Sequence, residues 1–421
     1  MEIRPFQGWR FAGEAGRVDS LIAPPYDVLS PEDKRALLDR DGRNVVGIDL
    51  PHCPPPAVGP DAAYAGAARL LSAAKEDGTL VRDAEDCLYA YEQTFTWADQ
   101  PFRRRTIIAA VALKAFGQGV WPHETTFPGP KLDRMKLRQA TRTQLSPIFG
   151  FYAGGDAAGE LFASLDRSPE AEGTLAGVTG RLWAVSDPGR IDAVRAALSG
   201  QDLFIADGHH RYSTAMNYRD SLGEIAPDHP ANFVMFVLAA AEDPGLLVLP
   251  AHRLIGDLAG FGLDELLERA GADFEFTPVE LTAADVADAG RYLAGFGPGA
   301  MALAAGAKSV VARLRDPTVM DEVAADHCQG WRGLDVAVLH RLLIDRHLKG
   351  FGAEGASIRY LADGPAALSA ARSGEAELVV FLQPTPLSAV ETVARAGEVM
   401  PPKSTYFHPK PATGMVLYPL E

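Results

Sequence analysis

Cysteine is scarce in this chain of 421 residues: Cys53, Cys87 and Cys328 are the whole supply. They are far apart and form no CxxC pair, which argues against a disulfide framework and against a thiolate zinc site. Cys53 follows His52 in PHCPPPAVGP, a proline-rich stretch that reads as a loop carrying an ordinary thiol. Long apolar runs are also missing, since the longest, Phe233 to Ala241, is about half of a membrane span. The opening residues, MEIRPFQGWR, contain no apolar segment of the secretory kind. A cytoplasmic protein with no membrane partner is expected. Positive charge is short as well: 40 basic residues stand against 55 acidic ones, a formal net charge of -15. Such a field repels nucleic acid, so no nucleic-acid partner is expected. No internal repeat or low-complexity tract is apparent.

What is present is the mix of a globular protein, with 47% hydrophobic and 23% charged residues. The length suits two or three domains. LSPEDKRALL opens as a helix does, with serine, proline and two acids, and AAYAGAARLLSAAKEDG continues the helical pattern. DCLYAYEQTFTW alternates as a strand, and RTIIAAVALKAF reads as a more buried one. RLWAVSD, DLFIAD, NFVMFVLAA and LLVLPAHRLI follow as strands, separated by GRIDAVRAALSG and HHRYSTAMNYRDSLG as helices. Beyond residue 256 helices and strands with alanine-rich surfaces, AMALAAG among them, close with ELVVFLQP and LSAVETVARAGE. These patterns define an α/β, or mixed α+β, fold in three regions: 1–118, 119–255, and 256–421 with a closing loop.

The densest chemistry lies in LFIADGHHRYSTA, residues 203–215. A strand ending in Asp207-Gly208 and passing straight into a helix leaves the first helical N–H groups unpaired, a natural phosphate site. Gly208 lets an anion approach the backbone, Arg211 can clamp it, and His209 and His210 can donate hydrogen bonds or a proton. Asp207 suits a Mg²⁺ ligand or a base.

A second cluster runs from Gly119 to Gly150. His123 and Glu124 follow a proline in a loop, and KLDRMKLRQATR then forms a cationic island that includes Lys131 and Arg134. A carboxylate beside a cationic phosphate site is what a general base for phosphoryl transfer requires. A third, MPPKSTYFHPKPATG, crowds Lys403, Ser404, Thr405, Tyr406, His408 and Lys410 among stiffening prolines, as an anion-holding lid or as a docked tail. In IAPPYDVLS, Tyr26 and Asp27 form a candidate substrate-side loop.

Asp207, Gly208, His209, His210, Arg211 and Ala215 form a D-G-H-H-R-x-x-x-A pattern that resembles the phosphate-binding signature of the ParB/sulfiredoxin superfamily. Within it the pattern is most similar to the archaeal free-serine kinases, which use a nucleotide to phosphorylate free L-serine. APPYDV, PHETTFPGPK, SPIFG, IADGHHRY and MPPKSTYFHPK together resemble a full-length bacterial family of unknown function. The resemblance implies a ParB/sulfiredoxin-like core at 119–255 with additional N- and C-terminal α/β regions. It implies ATP or ADP with Mg²⁺, a small hydroxylated acceptor such as serine, and Glu124, in a His-Glu loop with His123, as the base. Asp207 would hold metal or orient a group. Gly208, His209, His210 and Arg211 would bind phosphates, and Lys131, Arg134, Lys403 or Ser404 would add to that site. The stretch between Glu124 and Asp207 is longer than a compact core of this kind, so residues 153–173 are expected to be an insertion. No cysteine lies in the turn, which argues against sulfinic-acid reduction, and no helix-turn-helix supports a DNA clamp. Two other functions stay open, a nucleotide-binding switch without turnover and a metal-assisted phosphohydrolase, and oligomer formation is likewise open.

Overall fold

The alternating and continuous apolar runs become strands of one large sheet, because alternate side chains reach opposite faces and both faces are covered. The computed structural model describes residues 1–53, 58–163, 165–352 and 355–421, so part of the proline-rich loop around Cys53 lies outside the described residues. The sheet contains β1 (Ile3–Arg4), β2 (Leu88–Trp97), β3 (Gln100–Ala112), β4 (Val120–Trp121), β5 (Ile148–Tyr152), β6 (Ala171–Leu175), β7 (Val178–Val185), β8 (Leu203–Asp207) and β9 (Phe233–Ala240). Its order is β4-β8-β5-β9-β3-β2-β7-β6, with β1 also paired to β3. The pairs β4/β8 and β5/β9 are parallel and the others antiparallel. β2 and β3 are joined by Ala98 and Asp99, both at positive φ, as a tight hairpin turn demands.

Five helices are needed to place the site: α1 (Pro31–Arg40), α2 (Asp61–Glu76), α3 (Pro128–Thr141), α4 (Pro188–Leu198) and α5 (His209–Ser221). Ser30 and Asp33 cap α1 reciprocally, and Asp187 caps α4 by accepting from the Arg190 amide, each with proline at the first position. The core joins Ile107, Ile148, Ile205, Phe236 and Leu238 of the sheet to Val194 and Leu198 of α4 and Tyr212 and Ala215 of α5. Each such large apolar side chain contributes about 1.5–3 kcal/mol on burial.

The chain forms two compact units, Met1–Leu247 with Pro409–Glu421, and Val248–His408. The three-region expectation is corrected by this division. Residues before 118 are no separate region, because β2 and β3 hydrogen-bond into the same sheet as β7 and β9. Residues 409–421 likewise return to the first unit. LLVLPAHRLI, expected as one strand, is broken at Pro250, which has no N–H for a ladder, into Leu247–Leu249 and His252–Gly256.

In the second unit β10 (His252–Gly256), β11 (Phe274–Val279), β12 (Met301–Ala305), β13 (Lys308–Leu314), β14 (Ser357–Leu361) and β15 (Leu378–Phe381) form an antiparallel sheet in the order β11-β13-β12-β15-β10-β14. AMALAAG, expected as an alanine-rich surface, is instead the interior strand β12, with Met301 to Ala304 buried. The protein is thus a mixed α/β fold. Among the described residues no helix is long and apolar enough to cross a membrane.

Candidate functional site

A two-residue strand sets the geometry. In the parallel pair β4/β8, Val120 lies opposite Leu203 and Trp121 opposite Phe204. The two chains therefore leave the sheet at the same edge and in the same direction, one toward Glu124 and the other toward Asp207. The long stretch between them does not separate them. It is spent on α3, β5 and α4, on a short helix, Ala157–Phe162, and on β7 and the edge strand β6 at the other side of the sheet. Pairing of β8 with β5 shifts register between Ile205 and Asp207, an irregularity of the kind that re-aims a side chain at a strand end.

Gly208 turns the chain with φ 99° and ψ 27°. A Cβ there would lie 2.9 Å from Arg211 Nε, in a conformation that side chains resist, so glycine is required twice over. The first intrahelical bond of α5 runs from the Tyr212 amide to the Gly208 carbonyl. The preceding amides lack helical partners and sit at the positive end of the helix dipole.

Asp207 departs most from expectation. Its Oδ1 is 2.7 Å from Lys410 Nζ, and its Oδ2 is paired with Arg211. Lys410 Nζ also donates to Asp27 Oδ2 at 2.8 Å. Burial alone would raise the Asp207 pKa, but Lys410 and Arg211 outweigh it and hold the carboxyl well below the usual range. Lys410 mirrors this: burial works to lower its pKa, and Asp207 and Asp27 raise it above the ordinary lysine value. With a cation on each oxygen, Asp207 does not fit the role of Mg²⁺ ligand, and among the described residues no group of three His, Cys, Asp or Glu side chains could hold a metal. Arg211 is corrected too. It is buried, donates to the Pro147 carbonyl as well as to Asp207, and braces the turn instead of presenting an open clamp.

Two of the histidines, His123 and His209, pack against each other beside the turn. His209 Nε2 accepts from the His123 amide at 3.3 Å, which leaves Nδ1 to carry the proton of the neutral ring. That Nδ1 lies 3.7 Å from Glu124 Oε2. The two imidazoles meet edge to face with centroids 4.8 Å apart. Burial drives His123 down to about 4. Burial, and then the neighbouring His123, push His209 well below its ordinary value. Both rings are therefore neutral at pH 7, and Glu124, 30% exposed, is the solvent-facing member of the group. His210 faces the other way, accepting from the Phe127 amide at 2.9 Å through Nε2 and stacking on the Phe127 ring.

The basic helix α3 turns much of its charge inward, against expectation. Arg134 is buried between Asp133 and Asp49, 4.1 Å above the Tyr26 ring, so it is an internal counterion and not a neutraliser of transferred phosphate. Asp133 Oδ1 also accepts from Tyr64 Oη at 2.6 Å and lies 2.6 Å from His52 Nε2. Tyr26 is buried, and burial raises its hydroxyl to about 12. Tyr26 and Asp27 thus reach the constellation through Arg134 and Lys410. Lys131 is half-buried in the first turn of α3. Lys403 and Ser404 fold with the second unit, where Lys403 has φ 55° and Ser404 Oγ donates to the Pro401 carbonyl at 2.5 Å.

Lys410 was visible in the sequence only as one cation among several. Its signal is a lysine held between Pro409 and Pro411 just before an apolar closing segment. Asp49, Asp133 and His52 carried no sequence signal, since their importance comes from burial.

A mixed α/β protein with a carboxylate beside a strand–glycine–helix turn is the class that these observations define. The chain belongs to the DUF1015 family, described as protein of unknown function, whose model matches residues 3–337. No curated protein sequence matches it. Among solved structures it is similar to a mutant free serine kinase in complex with AMP, at 14% identity and a TM-score of 0.35, over 72% of this chain and 86% of that one. A conserved hypothetical protein from Pyrococcus furiosus gives 15% identity and a TM-score of 0.34, over 72% of this chain and 90% of that one. SbnI from Staphylococcus aureus, truncated at its C-terminus, gives 12% and 0.36, over 74% of this chain and 87% of that one. Likenesses of this size support no conclusion about chemistry.

Proposed function

We propose that the protein is a phosphotransferase that moves a phosphoryl group between a nucleotide, ATP or ADP, and a small hydroxylated metabolite, free L-serine being the first candidate. In this reading the first unit is an elaborated ParB/sulfiredoxin-like core, the amides after Gly208 receive phosphate oxygens, and Glu124 takes the proton of the acceptor hydroxyl. The observation that carries it is the 3.7 Å approach of Glu124 Oε2 to His209 Nδ1, which sets a partly exposed carboxylate beside the helix N-terminus. His209, neutral and buried, orients that carboxylate. Mg²⁺ would arrive with the nucleotide, since the chain offers it no built ligand set at Asp207.

One observation favours a second reading, a nucleotide-binding switch without turnover. Both cations nearest the turn, Arg211 and Lys410, are already matched by Asp207 and Asp27, so neither stands ready for charge that develops in a transition state.

The full chain incubated with ATP or ADP, Mg²⁺ and a panel of hydroxylated metabolites, read by phosphorus NMR, separates the readings. A phosphomonoester resonance is expected. Orthophosphate alone indicates a hydrolase, and bound but unchanged nucleotide indicates a switch. Glu124→Gln should leave nucleotide affinity nearly intact and lower transfer by about 10²-fold or more. Normal turnover in that variant removes Glu124 from the mechanism.

A further inference from the structure

Arg134 and Arg138 are one turn apart on α3, and both are buried, yet only one is matched. Arg134 has Asp49 and Asp133. Among the described residues the Arg138 guanidinium makes no ion pair and no hydrogen bond. Its guanidinium carbon lies 5.9 Å from the Tyr218 ring, and Tyr418 is also close enough to act on its charge. Burial lowers its pKa to about 10, which still leaves it charged at neutral pH. A buried cation without a counterion is expensive, and proteins rarely keep one without use.

Arg138 lines a cavity of about 30 Å³ together with Arg134, Arg211, Ser146, Thr214 and Asp49. The Ser146 side chain is buried, and among the described residues its hydroxyl bonds to nothing. Two donors that line this cavity, one of them charged, are therefore unspent. That space exceeds the roughly 10–15 Å³ that one ordered water needs. A guanidinium fork matches the spacing of the two oxygens of a carboxylate. One unmatched cation balances a singly charged carboxylate, whereas doubly charged sulfate or phosphate would leave excess negative charge beside Asp49.

We propose that this cavity is a binding site for the carboxylate of a small acid, held by Arg138 and Ser146. The assignment needs nothing from Glu124 or the Gly208 turn and stands whether or not the chain transfers phosphate. Two sources supply the same chemistry, a free small acid and the acidic end of a larger metabolite.

The test uses the full chain without nucleotide, at fixed sodium concentration, with melting temperature followed as chloride is exchanged for formate, acetate or sulfate. Formate and acetate should raise the melting temperature saturably, and sulfate should not. Ser146→Ala should weaken the acetate response by about 3–10-fold, the equivalent of one hydrogen bond, and Arg138→Gln should abolish it. L-Serine compared with acetate identifies the source: a tighter response to serine assigns the site to a larger metabolite and one no tighter to free acid, while L-serinamide, which lacks the carboxylate, should give none. The proposal is overturned if neither acid gives a saturable response, if sulfate matches acetate, or if Arg138→Gln responds as the parent does. Should Arg138→Gln fail to fold, Ser146→Ala decides, and an unchanged acetate response there overturns the site.

Discussion

Replacing Lys410 by methionine removes the one cation shared by Asp207 and Asp27 and keeps most of the side-chain volume. Lys410 is 12% exposed, Asp207 15% and Asp27 37%. Breaking a fully buried pair by removing one partner costs about 3–5 kcal/mol; here we expect about 2–3 kcal/mol, because Asp207 keeps Arg211 and Asp27 regains water. Urea unfolding followed by tryptophan fluorescence suits the question, since Trp9, Trp97, Trp121 and Trp183 all lie in the first unit and Trp331 alone in the second. The pH dependence has a definite sign. Lys410 has its folded pKa raised, so its contribution is complete below the ordinary lysine value and is lost as pH rises through the folded one. Asp207 has its folded pKa lowered, so its contribution is complete above the ordinary aspartate value and is lost as pH falls through the folded one. The difference between parent and Lys410→Met should thus be level from about pH 5 to 9 and shrink outside that window. A variant within ~0.5 kcal/mol of the parent at pH 7, the usual range of a neutral surface change, would show that this bridge does not form in solution.

His123 and His209 should give neutral-ring nitrogen spectra at pH 5.5, with the proton of His209 on Nδ1; a protonated pattern already at pH 6 would refute the buried assignment. Because their folded pKa values are lowered, the unfolded chain binds more protons, and stability should fall as pH drops below about 6.5, the ordinary histidine value. Gly208→Ala should cost about 1–3 kcal/mol in urea unfolding, the scale of one residue held in a disfavoured conformation, and an unchanged midpoint would mean that the turn relaxes freely.

Much of the first unit was readable before the structure. The strands at 88–97, 178–185, 203–207 and 233–240 and the capped helices at 31–40 and 188–198 follow period and capping chemistry directly. The Asp207–Gly208 turn stood out because strand, glycine and polar helix start are local in sequence. What could not be read is what pairing decides. β4 has two residues, too few for any period, yet its register is what brings Glu124 to His209. Arg134 and Arg211 looked like free cations because charge is visible in sequence while burial and partners are not. Lys410 belongs to a segment that folds back onto the first unit after an intervening unit, a contact no local pattern encodes.

That last connection also fixes an order of events during synthesis. Asp27 and Asp207 are made before residues 248–408, and Lys410 after them. At ordinary elongation rates of roughly 5–20 residues per second, the ribosome takes on the order of ten to thirty seconds to cover that interval. Throughout it the first sheet is already made, but Asp207 has only Arg211 and Asp27 has no lysine. A nascent chain stalled anywhere in the second unit therefore carries an unfinished charge pattern where the complete one carries a closed bridge, and the turn at Gly208 acquires its final electrostatics only once translation has passed Lys410.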